Sequence, residues 1–221
     1  HYIAGLSYEN NSWLFDTELF YKDVKNITEF SLRFQNTNLN SLFFNGDGEV
    51  KGFETLLQKK IDKYTGWISY TYIDAENIFP LLNYGNPFPA PNTQKNEFKV
   101  FNNYEINGWN FSVNFIYGSG KAFTEPSYNY SITLLDDSEL NYIGVGPKNG
   151  SLLPDYHRLD ISVHHIFNIQ KSKGDIGISV FNLYNKINTW YYEYNFDQRP
   201  YARQTKKYLG FTPNVSFKLT F

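Results

Sequence analysis

The chain has 221 residues, with 20 Lys and Arg against 22 Asp and Glu, so its formal net charge is −2 and it lacks the basic excess that nucleic-acid binding needs. It has no Cys, which excludes a disulfide framework and a thiolate metal site, and no run of about 18 apolar residues, which excludes a transmembrane helix. Aromatic residues reach 19%, with 19 Tyr and 20 Phe, more than an ordinary soluble core uses; Tyr in particular suits a place that is apolar at one end and wet at the other.

Along the chain the apolar residues repeat with period two, not the helical 3.6. Residues 2–9 ("YIAGLSYE") open the pattern. Residues 13–21 set Trp13, Phe15, Thr17, Leu19 and Tyr21 against Asp16 and Glu18. Residues 52–61 put Phe53, Thr55, Leu57, Lys59 and Ile61 on one side, and residues 66–73 put Ile68, Tyr70 and Tyr72 opposite Ser69 and Thr71. After residues 96–105 comes the cleanest case, 108–118, with Trp109, Phe111, Val113, Phe115 and Tyr117 against Asn110, Ser112 and Asn114. Residues 156–167 alternate Leu159, Ile161, Val163, His165 and Phe167 with Arg158, Asp160, Ser162, His164 and Ile166. Residues 175–184 and 214–221 complete the set. Nine segments of around ten residues result, about the length that crosses a bilayer at a tilt of about 45°.

The connections alternate short and long. The short ones lie at 10–12, 62–63, 107–108 and 170–174. Asn107-Gly108 is the strongest hairpin signal, because both central residues of a type I′ turn need positive φ. The long ones lie near 26–48, 75–94, 119–155 and 197–206, and hold most of the Pro and Gly. A meander with short turns at one end and long loops at the other is the pattern of outer-membrane barrels. A soluble sandwich also alternates, but its strands are shorter and its loops need no such asymmetry. The expected fold is therefore all-β, a transmembrane antiparallel up-and-down barrel. The Leu159–Phe167 face should meet lipid, and Asp16, Glu18, Arg158 and Asp160 should face the lumen. Lys59 falls on the lipid side, but close to the 62–63 turn, where it can snorkel.

The strings "GFETLLQKK", "TGWISYTY", "WNFSVNFIYGSGKAFTEP", "LPDYHRLDISV", "ISVFNLYNKIN" and "PNVSFKLTF" resemble, in this order, the C-terminal barrel region of TonB-dependent outer-membrane receptors, most of all those of Bacteroidetes-type bacteria. The resemblance implies about the last nine strands of a 22-stranded barrel, the plug, TonB box and earlier strands lying outside this sequence. It implies residence in the outer membrane of a Gram-negative bacterium, among lipid and lipopolysaccharide. It also implies import of a scarce nutrient, most often a ferric siderophore, powered by the TonB complex through the plug. Val215, Phe217, Leu219 and Phe221 look like the signal read by the barrel assembly machinery; a lipid-facing last strand would look the same. No Met and a beginning at His1 fit a C-terminal portion of a longer protein whose signal peptide is missing.

Candidate chemistry is sparse. His164 and His165 are consecutive on a strand, point to opposite faces and cannot share an ion. His157 adds no convergent set of the three or four ligands that zinc requires. Asp136, Asp137 and Glu139 could offer carboxylates to Ca²⁺, but read more simply as a solvated acidic loop. "GVGPKNG" lacks the context of a phosphate loop. We expect no cofactor, no metal and no enzyme activity. Residues 189–194 ("TWYYEY") read either as an interfacial girdle or as a ligand surface, and alternate residues allow both. Arg199, Arg203, Lys206 and Lys207 could meet lipopolysaccharide phosphates or an anionic ligand. The candidate ligand-binding residues, on the long loops, are Tyr128, Tyr130, Trp190, Tyr192, Arg199 and Arg203. Two other functions stay open: a passive porin-like or structural barrel, and a soluble aromatic-rich sandwich that binds carbohydrate.

Overall fold

A computed structural model describes residues 1–30, 43–170, 172–196 and 201–221. Its strands are β1 (Tyr2–Glu9), β2 (Trp13–Phe30), β3 (Phe43–Ile61), β4 (Tyr64–Ile78), β5 (Phe88–Pro89), β6 (Asn96–Ile106), β7 (Trp109–Gly118), β8 (Ala122–Phe123), β9 (Pro126–Thr133), β10 (Glu139–Val145), β11 (Ser151–Leu152), β12 (Tyr156–Ile169), β13 (Ser172–Phe181), β14 (Thr189–Asn195), β15 (Ala202–Lys207) and β16 (Thr212–Thr220). One antiparallel sheet runs β1-β2-β3-β4-β6-β7-β12-β13-β16, with β5 pairing β4. All nine expected segments fall in that path, in chain order. The path does not close: β1 and β16 each pair on one side only among the described residues.

The short turns have the chemistry that tight hairpins need. Asn107 (φ 49°) and Gly108 (φ 83°) both occupy the left-handed region, as a type I′ turn requires. Asp62 (φ 46°) and Gln170 (φ 53°) do the same at their turns. Between β1 and β2, Asn10 Oδ1 accepts the amides of Ser12 and Trp13, both at 2.9 Å.

Register carries the alternation across strands. Phe111 opposes Val163, which opposes Ile178, which opposes Val215. On the other face Ser112, Ser162, Ser179 and Asn214 form the equivalent row. The apolar face is uncovered: Val113 is 40% exposed, Ile178 59% and Val215 70%, although β7, β12 and β13 are flanked on both sides. Lys59 lies on that face opposite Trp13, with its ammonium 4.8 Å from the ring centroid. Among the described residues the buried apolar side chains are Ala75, Phe79, Phe88 and Ala122, all toward the long-connection end, where Phe79 stacks on Phe88 at 5.9 Å. A sandwich would bury this face against a second sheet; no second sheet packs here among the described residues.

Three expectations change. Residues 26–48 are not simply a loop, because β2 and β3 run 18 and 19 residues and carry their pairing to Phe30 and Phe43. A bulge between Val24 and Ile27 makes this possible, with Asn26 at φ 59° and its amide on Asp47 Oδ1 at 3.2 Å. It breaks the alternation, so period two no longer shows there. Residues 119–155 are also structured, holding β8 to β11. The strand expected over 175–184 stops at Phe181, because Asn182 turns to φ 54°.

Candidate functional site

The segments that grow from the long-connection end are tied together at Glu125. Its carboxylate accepts hydrogen bonds from Ser151 Oγ at 3.1 Å, the Tyr194 hydroxyl at 3.4 Å and Arg203 Nη1 at 3.2 Å. The Tyr201 hydroxyl donates to the Pro126 carbonyl at 2.7 Å, so the β14–β15 hairpin docks on the β8–β9 segment. Gly120 sits against the Leu153 carbonyl where no Cβ would fit, and its amide donates to Asp155 Oδ1 at 3.0 Å. Asn188, buried, fixes the start of β12: its Oδ1 accepts the His157 amide at 3.1 Å and its Nδ2 donates to the His157 carbonyl at 2.9 Å.

These segments enclose a cavity of about 740 Å³. On the sheet side it is lined by Glu97, Ile116, Tyr156 and Arg158, and on the loop side by Phe123, Trp190, Tyr192, Tyr194 and Tyr208. The four sheet residues share the polar face, as their register shows: Glu97 opposes Gly118, which opposes Tyr156, and Lys99 opposes Ile116, which opposes Arg158. The cavity therefore opens on the side expected to face the lumen. Its aromatic rings touch one another, with Phe123 and Tyr192 at 5.7 Å, Trp190 and Tyr208 at 5.8 Å, and Tyr156 and Tyr208 at 5.5 Å.

Charge in the cavity is largely spent internally. Arg158 Nε lies 3.0 Å from Asp160 Oδ2, an ion contact whose angle falls short of a hydrogen bond, since Nε–H has no acceptor in hydrogen-bond geometry. Arg158 Nη1 donates to the Tyr156 hydroxyl at 3.0 Å, and the guanidinium lies 4.1 Å from the centre of the Phe181 ring. Asp160 also accepts the Asn182 amide at 2.9 Å and Asn114 Nδ2 at 3.3 Å. Burial, and then the Glu125 carboxylate, push the Tyr194 phenol up. The hydrogen bond that the Lys206 ammonium donates to the Glu193 carboxylate pushes it up. Tyr194 is therefore a neutral hydroxyl, and Lys206 a paired cation, at neutral pH.

Of the candidate ligand residues, Trp190 and Tyr192 line the cavity. Arg203 sits outside the lining, with its guanidinium 4.4 Å from the Tyr192 ring and bonded to Glu125. Tyr128 and Tyr130 lie away from it, on the β9–β10 hairpin, where Tyr130 stacks on Tyr142 at 5.3 Å. Arg199 lies outside the described residues. The wall-girdle reading of residues 189–194 fails, because β14 pairs β15 and not the main sheet. A register shift between Thr189 and Tyr191 also lets both Trp190 and Tyr191 reach the cavity. Asp16 and Glu18 share the face of Arg158 and Asp160, five strands away along the sheet. Val215, Phe217 and Leu219 lie on the apolar face, and Phe221 follows β16, 95% exposed.

Among the described residues no three His, Asp or Glu side chains converge as metal ligands. Asp136 instead closes the β9–β10 turn, accepting Ser138 N at 3.1 Å and Ser138 Oγ at 2.6 Å. The aromatic cavity residues that sequence reading missed are Phe123, Tyr156, Phe196 and Tyr208. Alternation from Trp190 through Tyr192 and Tyr194 does lead to Phe196, and alternation from Arg158 leads back to Tyr156; Phe123 and Tyr208 carry no such signal.

The sequence matches the family described as TonB dependent receptor-like, beta-barrel over residues 1–183. The chain belongs to this family. Barrels of TonB-dependent receptors are found in the Gram-negative outer membrane and serve as receptors and transporters, not enzymes. No curated protein matches the sequence. Among solved structures, the unliganded ferric citrate transporter FecA superposes with a TM-score of 0.63 at 16% identity, covering 99% of this chain and 30% of that one. The FpvAI–pyocin S2 complex gives 0.63 at 10% identity, covering 97% and 26%. P. aeruginosa FpvA bound to heterologous pyoverdines gives 0.62 at 10% identity with the same coverages. At these identities the likeness is one of fold. The chain spans less than a third of each of these receptors.

Proposed function

We propose that this chain is the C-terminal wall segment of an outer-membrane TonB-dependent transporter, and that its long-connection end captures a scarce nutrient from outside the cell. The carrying observation is the aromatic cavity, which lies on the polar face at the end where the long segments gather. Such a position suits a ligand caught at the mouth and passed toward the lumen. The apolar face then meets lipid, with Lys59 and Trp13 at the periplasmic interface. Asp16, Glu18 and Asp160 hydrate the lumen or meet the plug, and Val215, Phe217, Leu219 and Phe221 serve the assembly machinery. Ferric siderophores are the cargo favoured by the names of the solved relatives.

The test is growth of cells producing the intact receptor, on a panel of scarce nutrients (ferric siderophores among them) each made limiting in turn, with and without TonB. Growth that needs TonB and falls with Trp190→Ala plus Tyr192→Ala is expected. Growth that persists without TonB would contradict the reading and assign a passive barrel.

A further inference from the structure

We infer that the aromatic cavity takes an uncharged ligand that presents ring faces, such as pyranose or neutral heteroaromatic rings, and not a polyanionic iron chelate. This rests on the receptor reading and narrows its cargo. Two observations carry it. Seven aromatic side chains line the loop side of the cavity among the described residues, and Trp190, 56% exposed, and Tyr192 present their rings there. Flat apolar faces with hydroxyl tips suit ring stacking combined with neutral hydrogen bonds.

The second observation is charge. Three charged side chains line the cavity among the described residues: Glu97, Lys121 and Arg158. Glu97 is held by Lys99 at 2.6 Å and Arg158 by Asp160 at 3.0 Å. The neighbouring cations Arg203 and Lys206 are held by Glu125 at 3.2 Å and Glu193 at 2.7 Å. Among the described residues only Lys121 lines the cavity without a carboxylate partner. A polyanion entering here would have to strip Arg158 from Asp160 or face Glu97 with a single counter-charge. A neutral ligand disturbs none of these pairs. Gln94, Asn92 and Thr189, also on the lining, offer neutral donors and acceptors to hydroxyl or amide groups.

Calorimetric titration of the intact receptor in detergent tests this with three probes: maltohexaose for pyranose rings, riboflavin for a neutral aromatic ring, and ferric dicitrate for a polyanion. We expect one neutral probe to bind more tightly than ferric dicitrate, its affinity moving less than about twofold between about 0.05 and 0.5 M NaCl, because no net charge is screened. Whichever neutral probe binds identifies the source of the ring. Its affinity should fall about tenfold in Trp190→Ala plus Tyr192→Ala, survive within about threefold in Trp190→Phe plus Tyr192→Phe, and ignore Lys121→Ala. Retained ring faces in the Phe pair separate stacking from a folding defect; loss in that pair would count against the inference. Tighter, salt-sensitive ferric dicitrate binding that depends on Lys121 would overturn the ligand class and leave the receptor reading intact. Binding by neither neutral probe would likewise overturn the class, while the receptor reading is decided separately by whether uptake needs TonB.

Discussion

Asn182 is fully buried, and its side chain is spent on the backbone. Nδ2 donates to the carbonyls of Lys186 at 2.9 Å and Leu209 at 3.2 Å, and Oδ1 accepts the Lys186 amide at 3.0 Å. It thus joins the end of β13 to the segment leading into β16. Asn182→Ala should cost roughly 1–3 kcal/mol for each buried group left without a partner, read from chemical unfolding of the intact barrel in lipid vesicles. Asp136 acts on a smaller scale. The Ser138 hydroxyl, and then the Ser138 amide, hold its carboxyl below the usual range. A lowered folded-state value means that the contribution is present above the ordinary carboxylate range and is lost as pH falls through the folded value. Protection of the amides at the β9–β10 tip, taken relative to the intrinsic exchange rate at each pH, should therefore fall on acidification below the ordinary range, and be indifferent to pH between 6 and 8, values well above it. Alternation reveals a residue's face, which is why Arg158 and Asp160 could be assigned from sequence. It says nothing of a partner 27 positions away, such as Leu209 for Asn182.

At the scale of elements, turns and strands divide sharply in what could be read. Asn107-Gly108 announces its hairpin, and the structure adds a second constraint: a Cβ on Gly108 would sit 2.7 Å from the Ile166 carbonyl. Gly108→Ala should cost about 1–2 kcal/mol from the left-handed backbone alone, more with that contact, and unfolding of the intact barrel measures it. The long segments were legible as connections but not as structure. The β9–β10 pair joins Tyr128, Tyr130 and Ile132 on one face with Tyr142 and Leu140 opposite, yet its pairing depends on a turn at 134–138 that reads as an acidic loop. The β14–β15 hairpin depends on Glu125, some 70 residues earlier in the chain. Such contacts are set by where the wall delivers its loops, so the aromatic cavity could not be assembled from spacing.

At the scale of the whole molecule, the described residues form no ordinary core. Their buried apolar side chains cluster where the outgrowths meet, and a broad sheet face of Phe, Val, Ile and Leu stays open. Exposed apolar area of that extent calls for an apolar solvent or partner, and family membership favours lipid. Strand number and face polarity were readable because a membrane wall needs strict alternation, with little tertiary packing to override it. Val163→Arg, on the apolar face, should destabilise the barrel by roughly 2–4 kcal/mol if it sits near the midplane. Ser162→Arg, one residue away on the polar face, should cost far less; the same unfolding assay compares them.

Spin labels at Val113 and Asn114, in the intact receptor reconstituted in vesicles, interrogate the two faces one residue apart. Relaxation of the Val113 label by lipid-dissolved oxygen, and of the Asn114 label by a water-soluble nickel chelate or by neither agent if the plug covers it, is the outcome expected here. A Val113 label shielded from oxygen by packed protein, or an Asn114 label bathed in lipid, would contradict the account.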